Sequence, residues 1–84
     1  KSSNNLSNLW ASSNSSYAIL EYLLGNTNRA RDIKHSIESY IGFEKNSGLV
    51  KAGTKNSKLW THSNAFYATL CLAEKFKQEV DKRK

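Results

Sequence analysis

A chain of 84 residues that says nearly the same thing twice has few ways to fold. The stretch SNLWASSNSSYAIL begins at Ser7, and SKLWTHSNAFYATL begins at Ser57. Besides the two starting serines, the ungapped copies share Leu9 with Leu59, Trp10 with Trp60, Ser13 with Ser63 and Asn14 with Asn64. They also share Tyr17 with Tyr67, Ala18 with Ala68 and Leu20 with Leu70. Chance would match about one position in such a window, and a fixed period of this size marks stacked supersecondary units. One complete unit spans 7–56, and a second, incomplete one spans 57–84.

The hydrophobic pattern says what the unit is made of. Residues 1–11 are rich in Ser and Asn, with Leu6, Leu9 and Trp10 to anchor them, and read as a loop or short turn. From Ser12 and Ser13 the text becomes helical and runs to Leu24, apolar nearly all round, as a helix covered on most sides would be. Gly25 stops it. Thr27 caps a second helix running to about Ile41, with Ala30, Ile33, Ile37, Tyr40 and Ile41 as one apolar stripe and polar residues elsewhere. Gly42 closes that helix, and Phe43 is placed for the contact that accompanies a glycine C-cap. The third helix is predicted over 63–80. Its stripe is Ala65, Thr69, Leu72, Phe76 and Val80, widened by Phe66, Leu70 and Ala73. The 43–62 stretch lacks helical periodicity, and Leu49-Val50 pairing with Leu59-Trp60 would make a short β-hairpin there. The expected fold is all-α: a helical hairpin plus a third helix, about one and a half hairpin repeats in a single small domain.

Composition narrows the function classes. A lone cysteine, Cys71, forms no intramolecular disulfide. No apolar run approaches the roughly 20 residues that span a bilayer. With no signal-like segment either, a cytoplasmic protein without membrane partners is expected. The first residue is Lys1 and the chain has no Met, so it reads as processed or as part of something longer. The net charge of +6 is uneven, with +1 over residues 1–42 and +5 over 43–84, part of it in the tail of Lys82, Arg83 and Lys84. No cofactor is expected. The two His and one Cys lack zinc-ligand spacing, so no metal site is expected.

Helical hairpins at a period near fifty cannot bury their faces alone and need neighbours. A homo-oligomer, or the remainder of a longer chain, is therefore the expected partner. A buried inner helix alternating with an amphipathic outer one resembles the hairpin unit of α/α toroids, which include the six-hairpin carbohydrate-active enzymes. GLVKAG before LWTHSNAFYATL is similar to their outer-to-inner connections. The resemblance implies that residues preceding the inner helices line a central cavity. Those would be Trp10, Asn14 and Tyr17 from the first copy, with Trp60, His62, Asn64 and Tyr67 from the second, facing a sugar or other small ligand. Aromatic faces stack on sugar rings, and amides bond hydroxyls.

Each of these residues has a plainer use beside the functional one. Trp10 and Trp60 can anchor a loop to a helix, and Ser13/Asn14 and Ser63/Asn64 are N-cap types. Tyr17 and Tyr67 can pack the inner helices. His62 stands at a helix start, where the dipole disfavours its charged form, yet the first copy has Ser12 in its place. His35 lies off the apolar stripe and reads as solvated. Glycoside hydrolysis needs two carboxylates flanking the bond, and the motif has none. The acidic residues fall on helix surfaces or in the tail, with Glu44 nearest a cavity edge, so the chain alone is not expected to be an enzyme. The alternative is a nucleic-acid-binding domain. Lys45, Lys51, Lys55 and Lys58 of the long loop would meet phosphates, beside Phe43 and Trp60 for base stacking.

Overall fold

The computed structural model describes residues 9–83. The N-terminal part of the repeat alignment and of the expected N-terminal loop, and the last lysine of the tail, lie outside them. Among the described residues there are three α-helices: α1 (Ala11–Leu23), α2 (Thr27–Ser36) and α3 (Thr61–Lys82), with a π-helical turn (Ile37–Ile41) continuing α2. The all-α hairpin-plus-helix fold is the one the periodicity predicts.

The helix starts differ from expectation in both copies. α1 and α3 begin at Ala11 and Thr61, ahead of the Ser-Asn pairs, so Trp10 and Trp60 are the N-cap residues and neither makes a side-chain cap hydrogen bond. The Ser-Asn pairs lie inside the first turn. There the Asn14 amide donates back to the Trp10 carbonyl (2.9 Å), and Asn64 does the same to Trp60 (3.1 Å). A loop replaces the missing cap in the first copy: the Ala11 N–H donates to the Ala52 carbonyl at 2.8 Å. Thr27 is likewise the first helical residue rather than the cap, which is Asn26.

Gly25, at φ +86°, reverses the chain after α1, a conformation that costs glycine no Cβ clash. The reversal is pinned by Glu21. Its carboxylate accepts from the Asn26 amide (2.7 Å) and pairs with Arg29 (3.0 Å), while its carbonyl accepts the Asn26 N–H (2.8 Å). Beyond Ser36 the helix widens, and the Gly42 N–H reaches the Ile37 carbonyl (3.0 Å), five residues back. Ile37 and Ile41 are both buried, as their i, i+4 spacing places them on one face. Tyr40, expected on the same stripe, is 69% exposed.

The 43–62 segment folds back, but not in the expected pairing. Val50 bridges Phe43, and Gly53 bridges both Asn56 and Trp10. Bonds from Thr54 N–H to the Leu9 carbonyl (2.9 Å) and from Leu9 N–H to Thr54 Oγ1 (3.0 Å) strap the segment to the start of α1. Leu59 and Trp60 go on to α3 rather than pairing with Leu49 and Val50.

α1 and α3 run parallel. Trp10 meets Trp60 at one end, and the Tyr22 hydroxyl reaches Glu74 (3.0 Å) towards the other. The core is small: Ala11, Ala18, Tyr22, Ala30, Ile37, Ile41, Val50 and Leu70. α1 was expected to be covered on most sides, yet Tyr17, Leu20, Leu23 and Leu24 are exposed. α3 departs further from its pattern. Of the predicted stripe, Ala65, Thr69, Leu72 and Phe76 are exposed, and the buried positions of α3 are Ser63 and Leu70. The face turned to α1 carries Ser63, Tyr67, Leu70 and Glu74. It is more polar than the one left open. Among the described residues no helix is long and apolar enough to cross a membrane.

Candidate functional site

The repeated tryptophans stack on one another at the N-terminal ends of α1 and α3, with ring centroids 5.8 Å apart and planes 7° from parallel. His62 stacks on Trp60 in turn, at 5.3 Å. Offset stacking of this kind contributes roughly 0.5–1.5 kcal/mol beyond area burial. The two indoles are thus in contact, and a ligand would meet their edges rather than enter between them.

The amides sit one turn further in and differ between copies. Asn14 bonds the Trp10 carbonyl and lines a cleft of about 390 Å³ with Leu9, Ser36 and Tyr40. Asn64 is a clamp. Its Oδ1 accepts the Val50 N–H (2.8 Å), and its Nδ2 donates to the Val50 carbonyl (3.0 Å) and to that of Trp60. Val50 is fully buried, so the loop's innermost peptide groups depend on this one side chain.

The tyrosines both have polar partners. Tyr17 accepts from the Arg29 guanidinium (2.7 Å), whose charged form the hydroxyl favours. Tyr67 donates to Glu38 (2.6 Å) and packs edge-on against Phe43. The Glu38 carboxylate also pairs with Lys34 (2.7 Å), and Lys34 lies 3.4 Å from Glu74, which accepts from Tyr22. A chain of five side chains thus runs Tyr67–Glu38–Lys34–Glu74–Tyr22 and ties α2, the π-turn, α3 and α1 together.

Burial opposes the charge of both Lys34 and Glu38, but each outweighs it through the other. The ammonium rises above the ordinary lysine value, and the carboxyl, helped by the Tyr67 hydroxyl, falls below the ordinary glutamate value. Burial, then the bond to Glu74, pushes the Tyr22 hydroxyl up to about 12. Burial and Glu38 push Tyr67 the same way. The Glu38 carboxylate, held ionised by Lys34, is a poor proton donor at neutral pH.

Sequence reasoning missed these groups by assigning the acidic residues to helix surfaces. Glu21 is 7% exposed, and Glu38 and Glu74 face the helix junctions. The signal was there in part: Lys34 and Glu38 have the i, i+4 spacing of a helical ion pair. Glu44, expected near a cavity edge, folds over its own turn. It accepts from Ser47 Oγ and N–H and from the Asn46 N–H, bonds that lower its pKa.

Lys45 lies in the turn that spans Glu44–Gly48, and Lys55 in the separate turn closed by Gly53 and Asn56. Lys51 stands between the two turns, and Lys58 between the second turn and α3. His35 is exposed, with Ser39 Oγ 3.4 Å from its Nε2. Among the described residues no group of three His, Cys, Asp or Glu side chains is arranged to hold a metal ion. No protein-family model, curated protein or solved structure matches the chain.

Proposed function

We propose that this chain is a structural helical-repeat module, a unit and a half of an extendable array whose shared motif builds the fold rather than binding a ligand. The carrying observation is that the amides and the tyrosine hydroxyls repeated between the copies, and the two indoles, are used internally. Asn14 and Asn64 hold backbone carbonyls, Tyr17 and Tyr67 bond Arg29 and Glu38, and Trp10 and Trp60 stack on each other. The resemblance to α/α toroids fits this reading, since such a module is a segment of that architecture.

A second reading is supported by the cleft beside Asn14. Its exposed Tyr40 ring and neighbouring amide are the groups that a sugar would use. Titration separates the two. A structural module leaves Trp emission unchanged with neutral oligosaccharides, and with a single-stranded oligonucleotide at low salt. Saturable quenching by a sugar, abolished in Tyr40→Ala, would replace the structural reading with ligand binding. Binding to the oligonucleotide that falls steeply with added salt would replace it with the nucleic-acid alternative through the loop lysines.

A further inference from the structure

Positions two apart on an α-helix point about 200° away from each other, to opposite sides. That simple fact organises the surfaces of α1 and α3. α1 turns Ala11, Ser15, Ala18 and Tyr22 inward, all of them buried, while Ser13, Tyr17, Leu20 and Leu24, two residues on in each case, are exposed. α3 does the reverse. It turns Ser63, Tyr67, Leu70 and Glu74 towards α1 and leaves Thr61, Ala65, Ala68 and Leu72 exposed.

Because the copies are offset by fifty, each open face is the repeat equivalent of a buried one. Ser13, Tyr17 and Leu20 on the open side of α1 are identical to Ser63, Tyr67 and Leu70 on the closed side of α3. Thr61, Ala65 and Ala68 on the open side of α3 match the small residues Ala11, Ser15 and Ala18 on the closed side of α1. The molecule therefore carries two open half-interfaces, and they are the two halves of the interface already formed inside it.

We infer that a second copy of this chain docks head to tail, laying its α1 against the open side of α3 in the parallel register that α3 itself takes on α1. The occupant is identified by complementarity. Leu20 of the incoming copy falls opposite Ala68, as Leu70 joins Ala18 in the core. The polar pair that joins α1 directly to α3, Tyr22 with Glu74, becomes Leu72 with Leu24, so both members change together and neither is left without its partner. Leu20, Leu24 and Leu72 are 50%, 65% and 67% exposed, large apolar side chains that such packing covers. The interface is heterologous, so copies add in one direction and either close into a ring or continue.

This inference rests on the structural-module reading, and one experiment separates their failures. Leu20→Glu spoils the α1 half-interface and Leu72→Glu spoils the α3 half, both at exposed positions. In sedimentation equilibrium the unaltered chain is expected to exceed twice its 9.5 kDa as concentration rises, and each variant alone to stay monomeric. An equimolar mixture of the variants recovers one good interface and is expected to stop at twice the chain mass. A dimer of the unaltered chain whose variants are not rescued by mixing would mean a two-fold symmetric contact and overturn the inference. So would a monomer at every concentration, which would leave the open faces to another partner. The module reading is probed separately by a double-mutant cycle of Tyr22→Phe and Glu74→Gln in the monomeric Leu20→Glu background. Coupling there, with no assembly of the unaltered chain, sinks the docking alone; no coupling sinks the parallel α1–α3 register and both readings with it.

Discussion

Replacing Asn64 by alanine should cost far more than the same change at Asn14, although the sequence offers the two as equivalents. In the first copy the amide makes one bond to the Trp10 carbonyl, so Asn14→Ala removes an ordinary part-buried hydrogen bond, about 0.5–1.5 kcal/mol. Asn64 satisfies both the N–H and the carbonyl of Val50, a residue 1% exposed. The neighbouring bridge does not help, because its bonds run from Lys51 to Gly42 and from Glu44 to Leu49 and leave the Val50 groups turned the other way. Truncation therefore strands two buried backbone groups at about 1–3 kcal/mol each. A loss of roughly 2–6 kcal/mol follows, and each kcal/mol lowers Tm by about 4–8 °C in a domain of this size. That is a large share of the total stability, about 4–12 kcal/mol for a chain of this length. Urea unfolding followed by helical circular dichroism gives the free energies, and hydrogen exchange at the Val50 amide reports the local event. Equal costs at the two asparagines, or an unchanged Val50 exchange rate in Asn64→Ala, would refute the clamp.

Ser15 and Ser63 bury hydroxyl oxygens without a hydrogen-bond partner among the described residues, so Ser15→Ala should raise stability by about 1 kcal/mol. Thermal melts decide it, and destabilisation would mean that the hydroxyl is satisfied after all. Gly53→Ala places a Cβ 2.6 Å from the Leu9 carbonyl oxygen and 3.2 Å from the Trp10 ring. Backbone there must shift, and we expect a loss of about 1–3 kcal/mol together with a change in Trp emission. Stability should also fall at both pH extremes. Glu38 holds its proton less tightly folded than at its ordinary value of 4.5, so on acidification the unfolded chain protonates first and stability declines from about there downward. Tyr22 behaves oppositely: the unfolded hydroxyl ionises near 10.0 and the folded one near 12, so stability drops as pH rises across that interval. Glu38→Gln should flatten the acid limb and Tyr22→Phe the alkaline one; limbs that survive these changes would place the linkage elsewhere.

The three helices and the two glycine stops follow from residue types and spacing, because chain reversal and helical period are local matters. α2 shows how far that reaches, with Ala30, Ile37 and Ile41 buried as the stripe predicts. The π-turn then swings Tyr40 out, an insertion that no pattern announces. The pairing of the 43–62 segment was not legible either, since its partner strand is chosen by what α1 and Asn64 offer rather than by its own residues.

For α3, composition pointed to the wrong face. Its most apolar stripe lies open, and the face with Ser63, Tyr67 and Glu74 is the one that is packed. A helical period measures how apolar residues are arranged around one helix, and it carries no information about which side a neighbour will occupy. That side was decided by fit. α1 presents small residues that let α3 come close, and the Tyr67–Glu38–Lys34–Glu74–Tyr22 chain supplies partners for polar groups that burial would otherwise penalise. The sequence determined the three helices and the near-identity of two of its stretches; only the folded molecule shows which helix faces are joined and which are left open, because that depends on pairs of residues distant in the chain.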